Sequence, residues 1–140
     1  MTHQQAVSVV TAPCETVEST LRDVSSWPQF LLGLEQVTET SFGRYRFVVR
    51  DRSSVRDVDV AVVAHPREHR IVWRALAGPR FDGEIRLAPT DEGHTRVSLS
   101  LSAEPAGFLA SLSDMAHMGA QSTAVLDLQR LDSLVTGGTA

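Results

Sequence analysis

The chain contains no lysine: all thirteen of its basic residues are arginine. We read this as the codon bias of a GC-rich genome rather than as a functional device. Its one cysteine, Cys14, excludes an internal disulfide and fits a cytoplasmic protein. No apolar run approaches the ~18 residues of a membrane span, so no membrane insertion is expected. Met1-Thr2-His3-Gln4-Gln5 has neither the basic patch nor the apolar stretch of a signal peptide, which also points to the cytoplasm. The five histidines are not grouped with cysteine or carboxylates at metal-ligand spacing, so neither a metal nor any other cofactor is expected. Gly78-Pro79-Arg80-Phe81-Asp82-Gly83 is a turn between strands, not a phosphate-cradling loop that opens a helix. A net charge of −4 disfavours a general nucleic-acid partner. Internal repeats and low-complexity segments are absent.

What remains is an ordinary globular composition, 42% apolar and 21% charged, in 140 residues. That length suits one domain burying roughly 70% of its unfolded surface, with no need of a disulfide or metal. We place the domain at residues 1–135 and a flexible tail at 136–140. β-Branched alternation predicts a strand over 6–11. Pro13 then suits a first helical turn, with Glu15 and Glu18 near the positive end of the helix dipole. Val17, Leu21 and Val24 carry the helical stripe. Ser25-Ser26-Trp27-Pro28 breaks it, and Phe30-Leu31-Leu32 is expected to form a short second helix. Strands are predicted over 35–41, 44–50, 55–64, 70–77, 81–88 and 95–103, separated by short stretches rich in turn formers. Short loops between successive strands imply an antiparallel meander. A helix over 108–135 follows, about 40 Å long.

This order gives an α+β fold: strand, two short helices, six strands, one long helix. A strongly curved seven-stranded antiparallel sheet needs its concave face covered, and only the C-terminal helix is long enough. Sheet wrapped around helix is the helix-grip arrangement, which leaves a cavity between the two.

Residues at fixed places sharpen the expectation. Ala12-Pro13-x-Glu15-x-Val17 opens the first helix, and Asp23-Val24-Ser25-Ser26-Trp27-Pro28-x-Phe30 closes it. Pro66 precedes Arg70-Ile71-Val72-Trp73, Gly78 and Gly83 bracket the next turn, and Pro89, Gly93 and Thr95-Arg96-Val97 open the last strand. In order and spacing this run resembles the START-like (SRPBCC) polyketide cyclase/dehydrase and lipid-transport superfamily, from about Val7 to Leu134. Glu104-Pro105-Ala106-Gly107 and Met115-Ala116-His117-Met118 are similar to the final segment of its aromatase/cyclases. Coenzyme Q-binding proteins share the framework. The resemblance implies an apolar cavity for a polyketide, quinone or lipid; fold alone does not choose among them.

Strand alternation supplies the cavity's lining. The inward sets are Tyr45, Phe47 and Val49; Val58, Val60, Val62 and Ala64; Phe81, Gly83, Ile85 and Leu87; and Val97, Leu99, Leu101 and Ala103. The 70–77 strand has two candidate faces. Burying the indole favours Ile71, Trp73 and Ala75. The cyclase pattern instead places Arg74 and Leu76 inward, and a bulge would allow part of each. On the long helix one stripe runs Phe108, Leu112, Met115, Gly119, Ser122, Leu126, Gln129. A second, Val125, Leu128, Leu131, Val135, would pack on the sheet edge or the first helix, or dimerise. Trp27, Phe30 and Leu34 complete the expected ligand-contacting set.

Cyclisation of a poly-β-ketone needs the chain held in one conformation, a donor for developing enolate or alkoxide charge, and an acid or base. Tyr45, the sole tyrosine, and Arg74 are the catalytic candidates; a core aromatic and a solvated strand arginine are their plain structural alternatives. Ser122 and Gln129 are candidate carbonyl donors from the helix side, and Trp27 is either pocket wall or structural plug. Cys14 sits in a first helical turn, where a thiolate can be stabilised, yet no paired base is identifiable, so it is read as structural. His65 and His69 are expected in solvent, and His117 on the surface or in packing. The aromatase/cyclases carry an inward arginine near the end of the strand that here reads Val58, Val60, Val62, Ala64. Its absence leaves two main functions: a cyclase or dehydratase, and a non-catalytic carrier of a quinone, lipid or polyphenol. A protein-interaction module is the third. The molecule is expected to be a monomer or homodimer.

Overall fold

The computed structural model describes residues 2–31, 33–51, 54–91, 93–104 and 123–137. Strand β1 (Thr2–Val10) leads into helix α1 (Cys14–Arg22) and a 3-10 helix (Val24–Gln29). Six strands follow: β2 (Leu34–Ser41), β3 (Arg44–Asp51), β4 (Ser54–His65), β5 (Arg70–Ala77), β6 (Arg80–Asp91) and β7 (His94–Glu104). Helix α2 (Thr123–Gly137) closes the described chain. The strands form one antiparallel sheet in the order β1-β7-β6-β5-β4-β3-β2, a meander with β1 folded back against β7.

Alternation builds the inner face. Phe47 and Val49, Val58 and Val60, Ile85 and Leu87, and Val97, Leu99, Leu101 and Ala103 are buried, while Arg46, Arg50, Asp57 and Arg96 are exposed. Register places these apolar residues opposite one another, Leu99 against both Ala6 and Ile85, and Phe47 against Val58. Toward its end β4 leaves the core. Val62 is half-buried and Ala64, expected inward, is exposed, and both line an open cavity.

On β5 the face that carries the indole is the inner one. Ile71 and Trp73 are buried, whereas Arg74 is exposed on the opposite face. The physical reason is Gly83, paired with Trp73 across β5–β6. A Cβ there would lie 2.0 Å from Trp73 Cζ2, so the indole occupies the space a side chain would fill. The β5–β6 ladder ends at this pair, and the Ala75 N–H donates instead to Asp82 Oδ1 at 2.8 Å. A bulge exists but falls further along: Asp59 pairs with Ala77 and Val60 with Ala75, leaving Leu76 extra. It therefore does not turn Arg74 inward, and Leu76 too is exposed. The turn between β5 and β6 needs Gly78, whose φ is 96° and whose missing Cβ would meet Asp57 O at 2.6 Å.

Several boundaries differ from expectation: β6 runs on to Asp91 rather than Ala88, and three other differences have a visible cause. Strand β1 begins at Thr2 rather than Ala6, since its polar first half pairs with the end of β7. The short helix forms over Val24–Gln29, on the Ser-Ser-Trp-Pro stretch read as a break, rather than over Phe30-Leu31-Leu32. Ser26 Oγ donates to Asp23 O at 2.7 Å and the Trp27 indole N–H donates to Leu21 O at 2.9 Å, so side chains stitch this tight turn onto the end of α1. At the C-terminus, α2 carries through Thr136 and Gly137, which composition alone gives to the tail. The expected helix over 108–122 lies outside the described residues, as does Leu32.

Helix α2 packs mainly on β1, with smaller contacts to β7 and α1. Gln4 Oε1 accepts from the Ala124 N–H at 3.0 Å and Asp132 Oδ1 accepts from the Thr11 N–H at 3.0 Å, tying the helix to β1 and to the residue that follows it. Its buried side chains are Ala124, Asp127, Leu128, Leu131 and Val135. Leu126 is half-buried and Gln129 exposed, so in the described part of the helix the second stripe, not the first, meets the core.

Gly83→Ala should destabilise the fold by about 2 kcal/mol or more through overpacking against the indole. In a Trp73→Leu background the same change should cost far less. A double-mutant cycle by denaturant unfolding measures that coupling.

Candidate functional site

The concave face of the sheet carries a connected set of aromatic rings. Trp27 and Trp73 meet edge-on with centroids 5.0 Å apart. Phe47 lies 5.9 Å from Trp27 and 6.1 Å from Phe81, and Trp73 is 6.3 Å from Phe81. Phe30 extends the set beyond Trp27 at 6.4 Å, and Tyr45 extends it beyond Phe47 at 6.5 Å. Such ring contacts add about 0.5–1.5 kcal/mol per pair beyond area burial.

The two indoles differ at their polar ends. Trp27 donates its N–H to Leu21 O, so it acts as a structural plug that fixes the end of α1. Trp73 Nε1 is buried and has no hydrogen-bond partner among the described residues. A buried N–H left unpaired costs about 1–3 kcal/mol, a cost that an acceptor on a ligand would remove.

A cavity of about 590 Å³ opens between the end of α1, the β2–β3 hairpin and strands β4 and β5; of the rings above only Tyr45 lines it, and Trp27, Phe30, Phe47, Trp73 and Phe81 do not. Leu21, Val24, Tyr45, Val62 and Ile71 contribute apolar walls, and Arg22, Glu39 and Arg44 contribute polar groups. That volume is in the range of small-molecule sites. Tyr45 is half-buried there, and burial, followed by the nearby Glu39 and Asp23 carboxylates, pushes its phenol above the usual value. It is therefore a protonated donor at neutral pH.

Of the other ligand-contacting candidates, Trp27, Phe30, Leu34, Phe47, Val58, Val60, Phe81, Ile85, Val97 and Leu99 are buried. Val62 and Leu126 are half-buried. Arg74 and Gln129 face solvent, each on the side of its element away from the buried residues, so neither joins Tyr45. Met115, Gly119 and Ser122 lie outside the described residues, as does His117.

Sequence reasoning passes over three features. The unpaired Trp73 N–H is a matter of partners in space, which strand alternation does not supply. Asp127, only 2% exposed, is the one buried carboxylate among the described residues, and its only signal is a helical face shared with Ala124 and Leu131. Outside the ring cluster, Cys14, Glu18 and His69 come together although sequence separates the histidine from the other two. His69 is half-buried there rather than fully in solvent. Cys14 is no stabilised thiolate: burial, then Glu18 and Glu15, raise its thiol above the usual value.

A curved antiparallel sheet with a C-terminal helix and an aromatic concave face defines the helix-grip class. The chain belongs to the polyketide cyclase / dehydrase and lipid transport family, whose model matches residues 1–136. No curated protein matches it in sequence. Among solved structures, a Deinococcus radiodurans protein superposes with a TM-score of 0.77 at 20% identity, covering 99% of each chain. The Zhui aromatase/cyclase from a Streptomyces species gives 0.73 at 19% identity, over 99% of this chain and 96% of that one. A START superfamily protein from Mycobacterium smegmatis gives 0.70 at 16% identity, over 96% and 97%. At these identities the likeness is one of fold. Among the described residues no helix is long and apolar enough to cross a membrane.

Trp27→Phe keeps a ring but leaves Leu21 O without its donor. It should lower stability by about 1–3 kcal/mol, read as a reduced denaturant midpoint with an unchanged m-value.

Proposed function

We infer that this protein binds an apolar polyketide or polycyclic intermediate between sheet and helix and directs its cyclisation or dehydration. The observation that carries this reading is the buried, unpaired Trp73 N–H beside Trp27 and Phe81. Flat rings recognise a flat or folding unsaturated chain, and an N–H with no partner among the described residues recognises a carbonyl oxygen. Tyr45, at the wall of the cavity, supplies a second donor.

The chemistry asked of these groups is modest. In an intramolecular aldol step, a methylene between two carbonyls gives a proton to solvent water and its carbon attacks a distant ketone. The ketone oxygen becomes an alkoxide, which takes a proton from the Tyr45 phenol; solvent then returns a proton to the phenolate. Loss of water and enolisation complete an aromatic ring. The Trp73 N–H holds a carbonyl so that one fold of the chain is favoured, which is positioning rather than proton transfer. With Arg74 outside, this reading rests on the neutral donors Tyr45 and Trp73; the cations at the cavity are Arg22, paired with Glu18, and Arg44.

A carrier of a quinone, lipid or polyphenol is the second reading. It is favoured by the aliphatic inner face at Val58 and Val60 and by the fact that Asp127 is the only buried charged residue among those described. A cytoplasmic location, and a monomer or homodimer, fit either reading.

Reconstitution of a minimal aromatic polyketide synthase with and without the protein tests the first. The expected result is a new ring pattern or dehydration state that Tyr45→Phe reduces at least tenfold, while an aromatic probe still quenches Trp27 and Trp73, the chain's two tryptophans. Quenching with an unchanged product profile selects the carrier. Because the phenol is held above its ordinary value of 10.0, Tyr45-dependent turnover should be flat through neutral pH and fall only in more alkaline solution. A loss of turnover centred near neutrality would remove Tyr45 as the proton donor.

A further inference from the structure

Away from the ring cluster, three side chains of different chemistry converge. Cys14 and Glu18 are one helical turn apart on α1, so they share a face. His69 follows the short 3-10 helix at Pro66–Glu68 and immediately precedes β5. The thiol sulfur, a carboxylate oxygen and an imidazole nitrogen all lie within 4.8 Å of one another. We propose that Cys14, Glu18 and His69 form a zinc site with three protein ligands.

The donor set selects the ion. One sulfur, one nitrogen and one oxygen suit a borderline tetrahedral cation, whereas calcium and magnesium demand shells built from oxygen. Bond lengths of about 2.0–2.3 Å in a tetrahedron put neighbouring ligand atoms about 3.3–3.7 Å apart. His69 Nδ1 and Glu18 Oε2 are already 3.7 Å apart, too far for a hydrogen bond and close to that edge. The sulfur, within 4.8 Å of its two partners, closes the remaining distance by a rotamer change in the first turn of the helix.

Two further observations concern ligands rather than proximity. His69 Nδ1 is buried yet makes no hydrogen bond, although it faces a carboxylate. His69 is also the only non-glycine residue described with positive φ, at 51°. Its N–H donates to Pro66 O and its carbonyl accepts from the Leu87 N–H at 2.8 Å, so a strained backbone is held from both sides with the ring turned toward α1. Glu18 is oriented too: Arg22 binds Oε1 at 3.1 Å, leaving Oε2 for the site.

A zinc ion here would clamp α1 to the turn between β4 and β5. Leu21 and Ile71, just beyond Glu18 and His69 in sequence, line the cavity from the same two parts of the fold. The fourth position would hold water.

The test uses the full chain with cobalt(II) as the probe and zinc as competitor. One equivalent of cobalt should give tetrahedral visible bands and a sulfur-to-metal band in the near ultraviolet, both displaced by zinc. Because Cys14 is the only cysteine, the sulfur band assigns it without any variant. Cys14→Ser should abolish that band, and His69→Gln should weaken zinc binding at least tenfold. His94→Ala, remote in sequence and paired with Asp91, should leave affinity unchanged. Circular dichroism of each metal-free variant shows that it is folded. Cobalt binding without a sulfur band, no stoichiometric binding, or unchanged zinc affinity in both Cys14→Ser and His69→Gln would overturn the proposal.

Discussion

The seat of Trp73 on Gly83 is the contact on which the inner face depends. An indole is too large to stand between two filled strands, so it needs a neighbour without a side chain, and β6 supplies one directly across the ladder. With the ring placed there, the face of β5 is decided: Ile71 turns inward with it and Arg74 turns out. The ladder stops at the same pair, and Asp82 takes over the next free N–H. Trp27, Phe47 and Phe81 then close around the indole at 5.0–6.3 Å, directly or through one another. A side chain at Gly83 would disturb every one of these placements, because a packed core has few spare ångströms.

Much of this was legible in the residues. Strands β3, β6 and β7 alternate cleanly, and their buried positions are the ones that a period of two selects. Strand β4 follows the same rule at Val58 and Val60 and escapes it at Ala64, where the core ends. Strand β5 was not legible in the same way, because Val72 and Leu76 make its second face nearly as apolar as the first. The partner that decides it, Gly83, lies on another strand, and register is a property of the folded sheet. The short helix shows a different limit. Ser26 and Trp27 read as breakers in isolation, but their side-chain bonds to Asp23 and Leu21 hold a tight 3-10 turn that backbone propensity alone would not favour. The two stripes of the last helix were both visible, and only contact with β1 distinguishes the buried one.

The candidate site was legible in composition more than in chemistry. Apolar and aromatic lining follows from alternation, and Tyr45 falls on the inward face of β3 as a phenol half-withdrawn from water. The donor that the structure adds, Trp73 Nε1, belongs to a residue whose sequence signal is bulk alone. The cation that a cyclase pattern would turn inward, Arg74, is in solvent. Grouping of Cys14 and Glu18 with His69 was invisible for the reason that defeats any spacing rule. Two of the ligands come from one helix and the third from a turn that lies beyond strands β2, β3 and β4 in the chain.

These placements bear on what kind of help such a cavity can give. An inward arginine would stabilise a full negative charge on an enolate, and in a low-dielectric site that is worth much more than in water. An indole N–H and a phenol offer dipoles instead, which favour a carbonyl and its partly charged transition state without favouring a free enolate. The two donors of the proposed function gain most from holding one conformation of a flexible, reactive chain and least from charge stabilisation. The aromatic walls act in the same direction, since they bind a ring that has formed as well as they bind its precursor. The proposed function is therefore steering of a substrate already inclined to cyclise, and a catalyst of that kind differs from a carrier only in whether its ligand leaves with a new bond.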